Sequence, residues 1–174
     1  IILRETDRLK QILNDIRLFS RPSKEGAVEL QLSPILRETV ELFANDPEWS
    51  DRVELFLKIQ KSVVVYMDPV HFKQILWNLL KNAAQSIQDK GKVFIELSVS
   101  KHNRVYLTIR DTGKGITEQD ALHIFDPFFT TKQEGSGLGL SIIHKIIDTY
   151  DGMIDFETQP GKGTVFTLVF NPTT

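Results

Sequence analysis

The sequence contains no cysteine at all. Disulfide bonds, thiolate metal sites and cysteine nucleophiles are therefore excluded. No apolar run is long enough to span a bilayer as a helix, and the first residues do not form a secretory signal. The four histidines lie far apart along the chain and show no metal-ligand spacing. These absences direct attention away from metalloenzyme and thiol chemistry.

Neither sign of charge dominates, because 21 Lys and Arg residues face 23 Asp and Glu residues, which gives a net charge of −2. No basic run indicates a groove for nucleic acid, so we expect no nucleic-acid partner. The length of 174 residues and the hydrophobic content of 41% are typical of one compact domain with an appendage. The chain begins with Ile1 rather than Met, so we expect a piece of a longer protein.

Residues 1–20 are predicted to form one amphipathic helix. Ile2, Leu9 and Ile16 recur at seven-residue intervals, which is typical of a helix with one apolar stripe. A helix this short does not bury such a stripe alone and needs a partner. Pro22 interrupts the pattern, and we expect a linker over residues 23–32.

Residues 33–174 are predicted to form a separate α+β domain. Its helices are expected from Ser33, as the cap, to about Ala44, from the Asp68 cap to about Gln88, and over residues 135–150. Strands are expected near residues 53–59, 63–65, 93–99, 105–109, 153–157 and 164–170. This combination indicates a two-layer sandwich, with a mixed sheet and helices on one face.

Asp111 lies where a predicted strand ends and a glycine-rich turn begins. A carboxylate only accepts hydrogen bonds, so a buried one needs donors, and the exocyclic amine of adenine is a suitable donor. Gly113 and Gly115 would let the backbone approach a flat ring closely. Taken alone, the Asp-x-Gly pattern is more typical of a plain turn.

A second glycine cluster, Gly135, Gly137 and Gly139, stands at the predicted start of the last helix. Unpaired amides and the helix dipole favour phosphate at such a position. The spacing matches neither the P-loop nor the dinucleotide-binding pattern. Backbone amides would therefore hold the phosphates without a P-loop lysine. A flexible hinge is the alternative, and the two are compatible because a lid must move over its ligand.

Asn78, Asn82 and Ser86 are four residues apart and share one face of the predicted helix that follows Asp68. Asparagine is a middling helix former, so two at this spacing require a reason. An amide oxygen is a hard ligand that suits Mg²⁺, which binds few protein groups and bridges phosphates. The alternative is hydrogen bonding to nearby loops, which for Asn78 has equal weight.

Together these segments resemble the catalytic ATP-binding domain of sensor histidine kinases. That domain belongs to the superfamily of DNA gyrase, the heat-shock chaperone ATPases and the mismatch-repair ATPases. The matching motifs are, in order, residues 78–83 (NLLKNA), 111–115 (DTGKG), 125–132 (FDPFFTTK), 135–139 (GSGLG) and 161–164 (GKGT). The resemblance implies a Bergerat-type fold with a mostly antiparallel sheet. Residues 1–22 resemble the second helix of the family's dimerisation and phosphoacceptor hairpin, here truncated.

The resemblance also implies roles for individual residues. Asp111 would bind the adenine amine, Asn82 would ligate Mg²⁺ with Asn78 in support, and Lys132 would reach the γ-phosphate from the lid. Asn82 and Lys132 are thus the expected catalytic residues. The remaining nucleotide contacts are expected from Gly113, Gly115, Ile116, Gly135, Gly137, Leu138, Gly139 and Thr164. Some relatives carry a basic residue at the position of Gln85, so one phosphate contact is in doubt.

The function implied is transfer of the γ-phosphoryl group of ATP to a histidine. None of His71, His102, His123 and His144 has the usual phosphoacceptor context, so we expect that histidine outside this sequence. The implied partners are the phosphoacceptor helix of a homodimeric parent kinase and a response regulator. The need for ATP leads us to expect a cytoplasmic domain, of a parent that is either soluble or membrane-anchored.

Three alternatives share parts of this pattern. A same-superfamily ATPase would carry a glutamate where this chain has Asn78, so hydrolysis is expected to be slow. A serine kinase of the anti-sigma type shares the fold but is disfavoured by the helix predicted over residues 1–20. A nucleotide-dependent interaction module without catalysis is the third.

Overall fold

The computed structural model describes residues 13, 16, 22–132 and 135–173. Leu13 and Ile16 are helical and exposed. The rest of the helix predicted over residues 1–20 lies outside the described residues, as do Ile2 and Leu9 of its predicted apolar stripe. Among the helices that are described, we find none with the length and apolar character required to cross a membrane.

Seven strands and four helices follow a short 3₁₀ turn at Lys24–Gly26. The strands are β1 (Val28–Gln31), β2 (Val53–Ile59), β3 (Val64–Met67), β4 (Gly91–Val99), β5 (Val105–Asp111), β6 (Met153–Gln159) and β7 (Gly163–Phe170). The helices are α1 (Leu32–Ala44), α2 (Pro69–Ser86), α3 (Glu118–Ala121) and α4 (Gly139–Thr149). The described part of the chain therefore has the α+β composition that the sequence predicts.

The main sheet has five strands in the order β2-β4-β5-β7-β6. Strands β2 and β4 are parallel, whereas the other neighbours are antiparallel, so the prediction of a mixed, mostly antiparallel sheet is confirmed. Leu97, Leu107 and Leu168 stand opposite one another on the three central strands and are fully buried. Period-2 alternation places these residues on the face that α1, α2 and α4 cover.

The opposite face of the sheet carries no helix in the described part of the chain. Phe56 stacks on Phe94 at a centroid distance of 5.0 Å, and the Arg110 guanidinium lies 5.1 Å from the Phe94 ring. Phe56 is partly exposed there. The described part of the domain thus has two layers, the sheet and the helices on one of its faces.

Strand β1 lies inside the segment predicted as a linker. It pairs antiparallel with β3, and Leu30 is buried in the core. Residues 28–31 are therefore part of the folded unit, which begins before residue 33. The alternation in β1 is only four residues long, and its partner is distant in sequence, so no local pattern indicates it.

One of the three predicted helix starts is confirmed, and the other two are wrong. The Asp68 carboxylate accepts a hydrogen bond from the Val70 amide at 2.8 Å and caps α2 as expected. Helix α1 begins one residue before the predicted Ser33 cap, whose hydroxyl instead lies 3.4 Å from the Ser62 hydroxyl. Helix α4 begins at Gly139 rather than near residue 135, because Gly137 has a φ of 68°, which is incompatible with a helix.

Candidate nucleotide site

A cleft of about 1240 Å³ lies between α2, the turn after β5 and the segment that connects α3 to α4. The predicted site residues that line it are Asn78, Asn82, Asp111, Gly115, Ile116, Lys132, Gly135, Gly137, Gly139 and Thr164. Gly113 and Leu138 do not line it. Leu138 is buried in the core, and Gly113 packs beside Asp111. The fold thus brings together motif residues from Asn78 to Thr164, which are distant from one another in the sequence.

Asp111 ends β5 and is 5% exposed. Its Oδ1 accepts hydrogen bonds from the Gly113 amide at 2.8 Å and from the Ser86 hydroxyl at 2.9 Å. Burial raises the pKa of this carboxyl, and the bonds from Gly113 and Ser86 oppose that rise. The carboxylate is therefore fixed in orientation by α2 and by its own turn.

Close backbone packing surrounds Asp111 on two sides. A Cβ on Gly113 would lie 1.8 Å from the Ser86 Oγ and 2.7 Å from the Ser86 carbonyl carbon. Gly163 has a φ of 108°, and a Cβ there would lie 2.0 Å from the Asp111 carbonyl oxygen. Both glycines serve the packing of the protein around the carboxylate, rather than the approach of a ligand.

Two threonine hydroxyls continue this end of the cleft. Thr164 is 4% exposed, and its Oγ1 lies 3.0 Å from the Oγ1 of Thr158, its neighbour across β6 and β7. The Ile116 amide donates to the same Thr158 hydroxyl at 2.9 Å. Thr158 does not line the cleft itself, but it contacts Ile116 and Thr164, which do. Sequence reasoning missed this supporting role, and the position of Thr158 opposite Thr164 in the last hairpin is the signal that would have indicated it.

At the other end of the cleft, Lys132 contacts α2. Its Nζ donates to Asn82 Oδ1 at 3.0 Å and to Gln85 Oε1 at 2.5 Å. Burial, together with the positive charges of Lys81 and Lys114, lowers the pKa of Lys132 to about 8. Gln85 is thus a partner of Lys132, a contact across 47 positions of sequence that the motif pattern did not indicate.

Asn78 lies one helical turn before Asn82 and faces the second glycine cluster. Its Nδ2 is buried and has no hydrogen-bond partner among the described residues. A Cβ placed on Gly139 would lie 3.9 Å from the Asn78 Cγ. Buried polar groups are normally paired, so an orphaned donor beside a cleft indicates a place for a water or a ligand acceptor.

The segment between α3 and α4 is anchored at both ends. Phe125 packs against Phe156 at a centroid distance of 5.8 Å and against His144 at 5.4 Å. A Cβ on Gly137 would lie 2.4 Å from the Phe128 carbonyl carbon, so the glycine cluster is folded tightly against this segment. Phe128 itself has a φ of 67° and is 68% exposed. We call the described residues of this segment, 122–132 and 135–138, the lid.

The histidines have local partners or positions that give them structural roles. His71 is buried and its Nδ1 lies 2.7 Å from the Tyr150 hydroxyl. His123 pairs with Asp126 and His144 with Asp148, while His102 lies in the turn between β4 and β5. None of the four lines the cleft, and no cluster of three or more potential metal-binding side chains occurs among the residues described.

Comparison with known proteins agrees with this geometry. Residues 67–174 match the family model described as histidine kinase-, DNA gyrase B-, and HSP90-like ATPase. Sporulation kinase E of Bacillus subtilis is 32% identical over 95% of this chain, and sensor histidine kinase ZraS of Klebsiella oxytoca is 32% identical over 97%. The chain spans 22% and 36% of the lengths of those two relatives.

Solved structures show the same architecture. The catalytic domain of histidine kinase ThkA superimposes with a TM-score of 0.73 and is 32% identical, covering 83% of this chain and 95% of that one. ThkA in complex with the response regulator protein TrrA superimposes with a TM-score of 0.77 at 30% identity, over 100% of this chain and 50% of that one. The order of motifs, the cleft they line and these likenesses lead to one conclusion: the chain belongs to the histidine kinase-, DNA gyrase B- and HSP90-like ATPase family.

Proposed function

We propose that this chain is the ATP-binding catalytic domain of a sensor histidine kinase, and that it delivers the γ-phosphoryl group to a histidine outside this sequence. The observation that carries the proposal is the arrangement of groups along one cleft. A buried carboxylate, Asp111, lies at one end, while an amide oxygen and an ammonium, from Asn82 and Lys132, meet at the other. A site for ATP requires a hydrogen-bond acceptor for the amine of the base and groups that neutralise the charge of the phosphates.

Asp111 is the proposed acceptor for the exocyclic amine of adenine. Gly113 and Ser86 occupy Oδ1, which leaves the second carboxylate oxygen with capacity to accept from the base. Thr164 and Thr158 offer hydroxyls for a bridging water. Guanine carries a carbonyl oxygen in place of the amine, so the same carboxylate repels it.

The residues at the phosphate end fit Mg²⁺. Asn82 presents an oxygen that already faces a positive charge, and the buried Asn78 amide has an unused donor beside it. Bound with ATP, the metal would neutralise and orient the phosphate oxygens, because Mg²⁺ favours one or two protein oxygens plus phosphates. Asn82 would hold it, while Asn78 and the amides of Gly137 and Gly139 orient the phosphates.

Transfer to a histidine is favoured over hydrolysis by the side chain at position 78. Asn78 carries an amide, which has no basic oxygen able to take a proton from water at neutral pH. Phosphoryl transfer depends mainly on positioning and charge neutralisation, which this cleft supplies. A neutral imidazole attacks without the help of a strong base.

The partners proposed for the whole protein follow from its relatives. Residues 1–22 would be the second helix of a dimerisation and phosphoacceptor hairpin, in a homodimeric parent with its catalytic part in the cytoplasm. The likeness to ThkA, whose structure was solved with a response regulator, supports transfer onward to such a regulator.

The test uses γ-labelled ATP with this chain alone, and then with the missing helix hairpin of the parent added in trans. The chain alone is expected to remain unlabelled, and the added hairpin to gain acid-labile phosphate on its histidine. Acid-labile phosphate on the chain's own histidines, or rapid release of inorganic phosphate without any labelling, would contradict the proposal.

A further inference from the structure

Two neutral amide oxygens attach the lid lysine to helix α2. Lys132 Nζ donates to Asn82 Oδ1 at 3.0 Å and to Gln85 Oε1 at 2.5 Å. Asn82 and Gln85 are three residues apart and therefore share one face of the helix. The Lys132 backbone amide donates to the Thr130 hydroxyl at 3.1 Å, which shapes the end of the lid that carries the lysine. The ammonium is thus a bridge between the lid and α2.

The two oxygens bind a cation without neutralising it. Within the described ranges, no carboxylate lies at ion-pairing distance from Lys132, although the side chain is half-buried. Lys81 and Lys114 line the same cleft. Two amide oxygens that converge on a small cation form a set of hard ligands, which is also the kind of site that a divalent metal uses.

We propose that the Lys132 ammonium occupies the side-chain oxygen of Asn82 when no divalent metal is bound there. Gln85 is then the positioning residue that holds the ammonium in place. This inference rests on the proposed function, since it concerns how the same cleft neutralises nucleotide phosphates. It gives Gln85 a role that no motif assigns. It also makes the Lys132 ammonium and the metal alternative partners of the same atom, Asn82 Oδ1.

The exclusion follows from distances and charge. Magnesium lies about 2.0–2.1 Å from an oxygen ligand, and the ammonium lies 3.0 Å from the same Asn82 oxygen. Cations this close repel each other strongly in a half-buried site. A metal held by Asn82 would therefore exclude the ammonium from that oxygen, while the bond to Gln85 would keep Lys132 at the phosphate end of the cleft. No covalent bond forms or breaks in this exchange.

The consequence is a reduced dependence of nucleotide binding on metal. Without metal, the wild-type chain still presents the Lys132 charge at the oxygen of Asn82. Lys132→Met removes that charge and keeps most of the side-chain length. Affinity for metal-free ATP is then expected to fall about tenfold or more, whereas the affinity for Mg·ATP falls less. The ratio of Kd in EDTA to Kd in magnesium therefore rises.

The experiment is calorimetric titration of ATP into the chain, in excess magnesium and in EDTA, at one pH and ionic strength. The variants are Lys132→Met, Gln85→Leu and the matched control Lys73→Met. Lys73 is on the same helix, but it lies outside the cleft and pairs with Glu38. The Kd ratio is expected to rise at least about twofold in the first two variants and to stay at the wild-type value in the control.

A double variant that moves the positive charge from the lid to α2 gives a second test of the inference. The double variant Gln85→Lys with Lys132→Met places the ammonium on α2 instead of the lid, so its Kd ratio is expected to return toward the wild-type value. Amide hydrogen exchange in the nucleotide-free chain is the second readout. Exchange over residues 130–132 is expected to quicken in Lys132→Met and Gln85→Leu, and to stay unchanged in Lys73→Met, because only the first two lose the bridge.

The outcomes separate the inference from the function on which it rests. An unchanged Kd ratio in Lys132→Met, alongside normal Mg·ATP binding by the wild-type chain, would overturn the inference alone. A wild-type ratio and wild-type lid exchange in Gln85→Leu would overturn the positioning role of Gln85. Failure of the wild-type chain to bind ATP with magnesium would instead contradict the proposed function, and the inference with it.

Discussion

The two ends of the cleft are built in different ways. At the proposed adenine end, Asp111 is fixed by its own turn and by Ser86, and glycines pack against it so closely that no Cβ fits. At the proposed phosphate end, long side chains from the lid and from α2 meet through two amide oxygens. The first end is preorganised for one base, whereas the second is able to rearrange when metal and phosphate arrive.

The largest expected effect is on the fixed end. Asp111→Ala removes a hydrogen bond to a charged group, which costs about 1.5–3 kcal/mol, or roughly 10- to 150-fold in affinity for Mg·ATP. Calorimetry measures the loss. Ser86→Ala is the graded comparison, since it removes one of the bonds that orient Asp111 and keeps the carboxylate. Wild-type affinity in Asp111→Ala would contradict the adenine assignment.

The second prediction concerns close packing beside Asp111. Gly113→Ala places a Cβ against the Ser86 side chain and backbone, and such overpacking costs about 1–3 kcal/mol in the free energy of unfolding. Denaturant unfolding checks this. Gly161→Ala is the comparison, because Gly161 lies in the turn between β6 and β7 with a φ of 78° and has no atom within 4 Å of a Cβ. Its cost is expected to be backbone strain alone, about 1–2 kcal/mol. If Gly113→Ala unfolds like the wild-type chain, the fixed end is not closely packed.

The third prediction concerns the adaptable end. Lys132→Met is expected to weaken Mg·ATP binding about three- to fivefold, or ~1 kcal/mol, because one charge near the last phosphate is lost among several. Binding of Mg·ADP should change less, since ADP lacks the γ-phosphate. Equal losses for both nucleotides, measured under the same conditions, would place the lysine elsewhere along the phosphates.

The smallest effect lies outside both ends, at the base of α2. Burial lowers the pKa of His71, and the charge of Asp68 opposes this. The unfolded state therefore binds a proton more readily than the folded state. Stability from this group is fully present above pH 6.5, the unfolded value, and falls as the pH drops toward the folded pKa. The slope is at most about 1.4 kcal/mol per pH unit.

His71→Gln is expected to flatten this part of the stability profile, as measured by denaturant unfolding between pH 5 and 7, the range around the unperturbed histidine pKa of about 6.5. His123→Gln is the control, because His123 is exposed and pairs with Asp126 on the lid. A profile in His71→Gln that is as steep as that of the wild-type chain would show that another group titrates.

Sequence patterns anticipated the elements whose signals are local. The Asp68-Pro69 start of α2 and the hairpin of β4 and β5 follow from capping, periodicity and turn residues. Strand β1 was missed because four alternating residues have meaning only beside β3. The start of α4 was misplaced because glycine adopts positive and negative φ with similar ease, so the residue type does not predict the positive φ of Gly137.

The same division between local signals and tertiary contacts applies to the residues of the site. Its motif residues were predicted as a set, and the fold brings most of them to one cleft. Gln85 and Thr158 were missed, because each acts through a partner that tertiary structure supplies: Lys132 for the first, Thr164 and Ile116 for the second. Hydrogen bonds between distant side chains leave no periodic trace in a sequence.

We propose that one end of the cleft recognises adenine through a fixed carboxylate, while the other receives metal-bound phosphates. The decisive measurement is calorimetric titration of the wild-type chain with Mg·ATP and with Mg·GTP. We expect a single saturable site for ATP and at least about a hundredfold weaker binding of GTP, since the buried carboxylate would face a carbonyl oxygen without a donor. Equal affinity for the two nucleotides, or no binding of ATP, would contradict it.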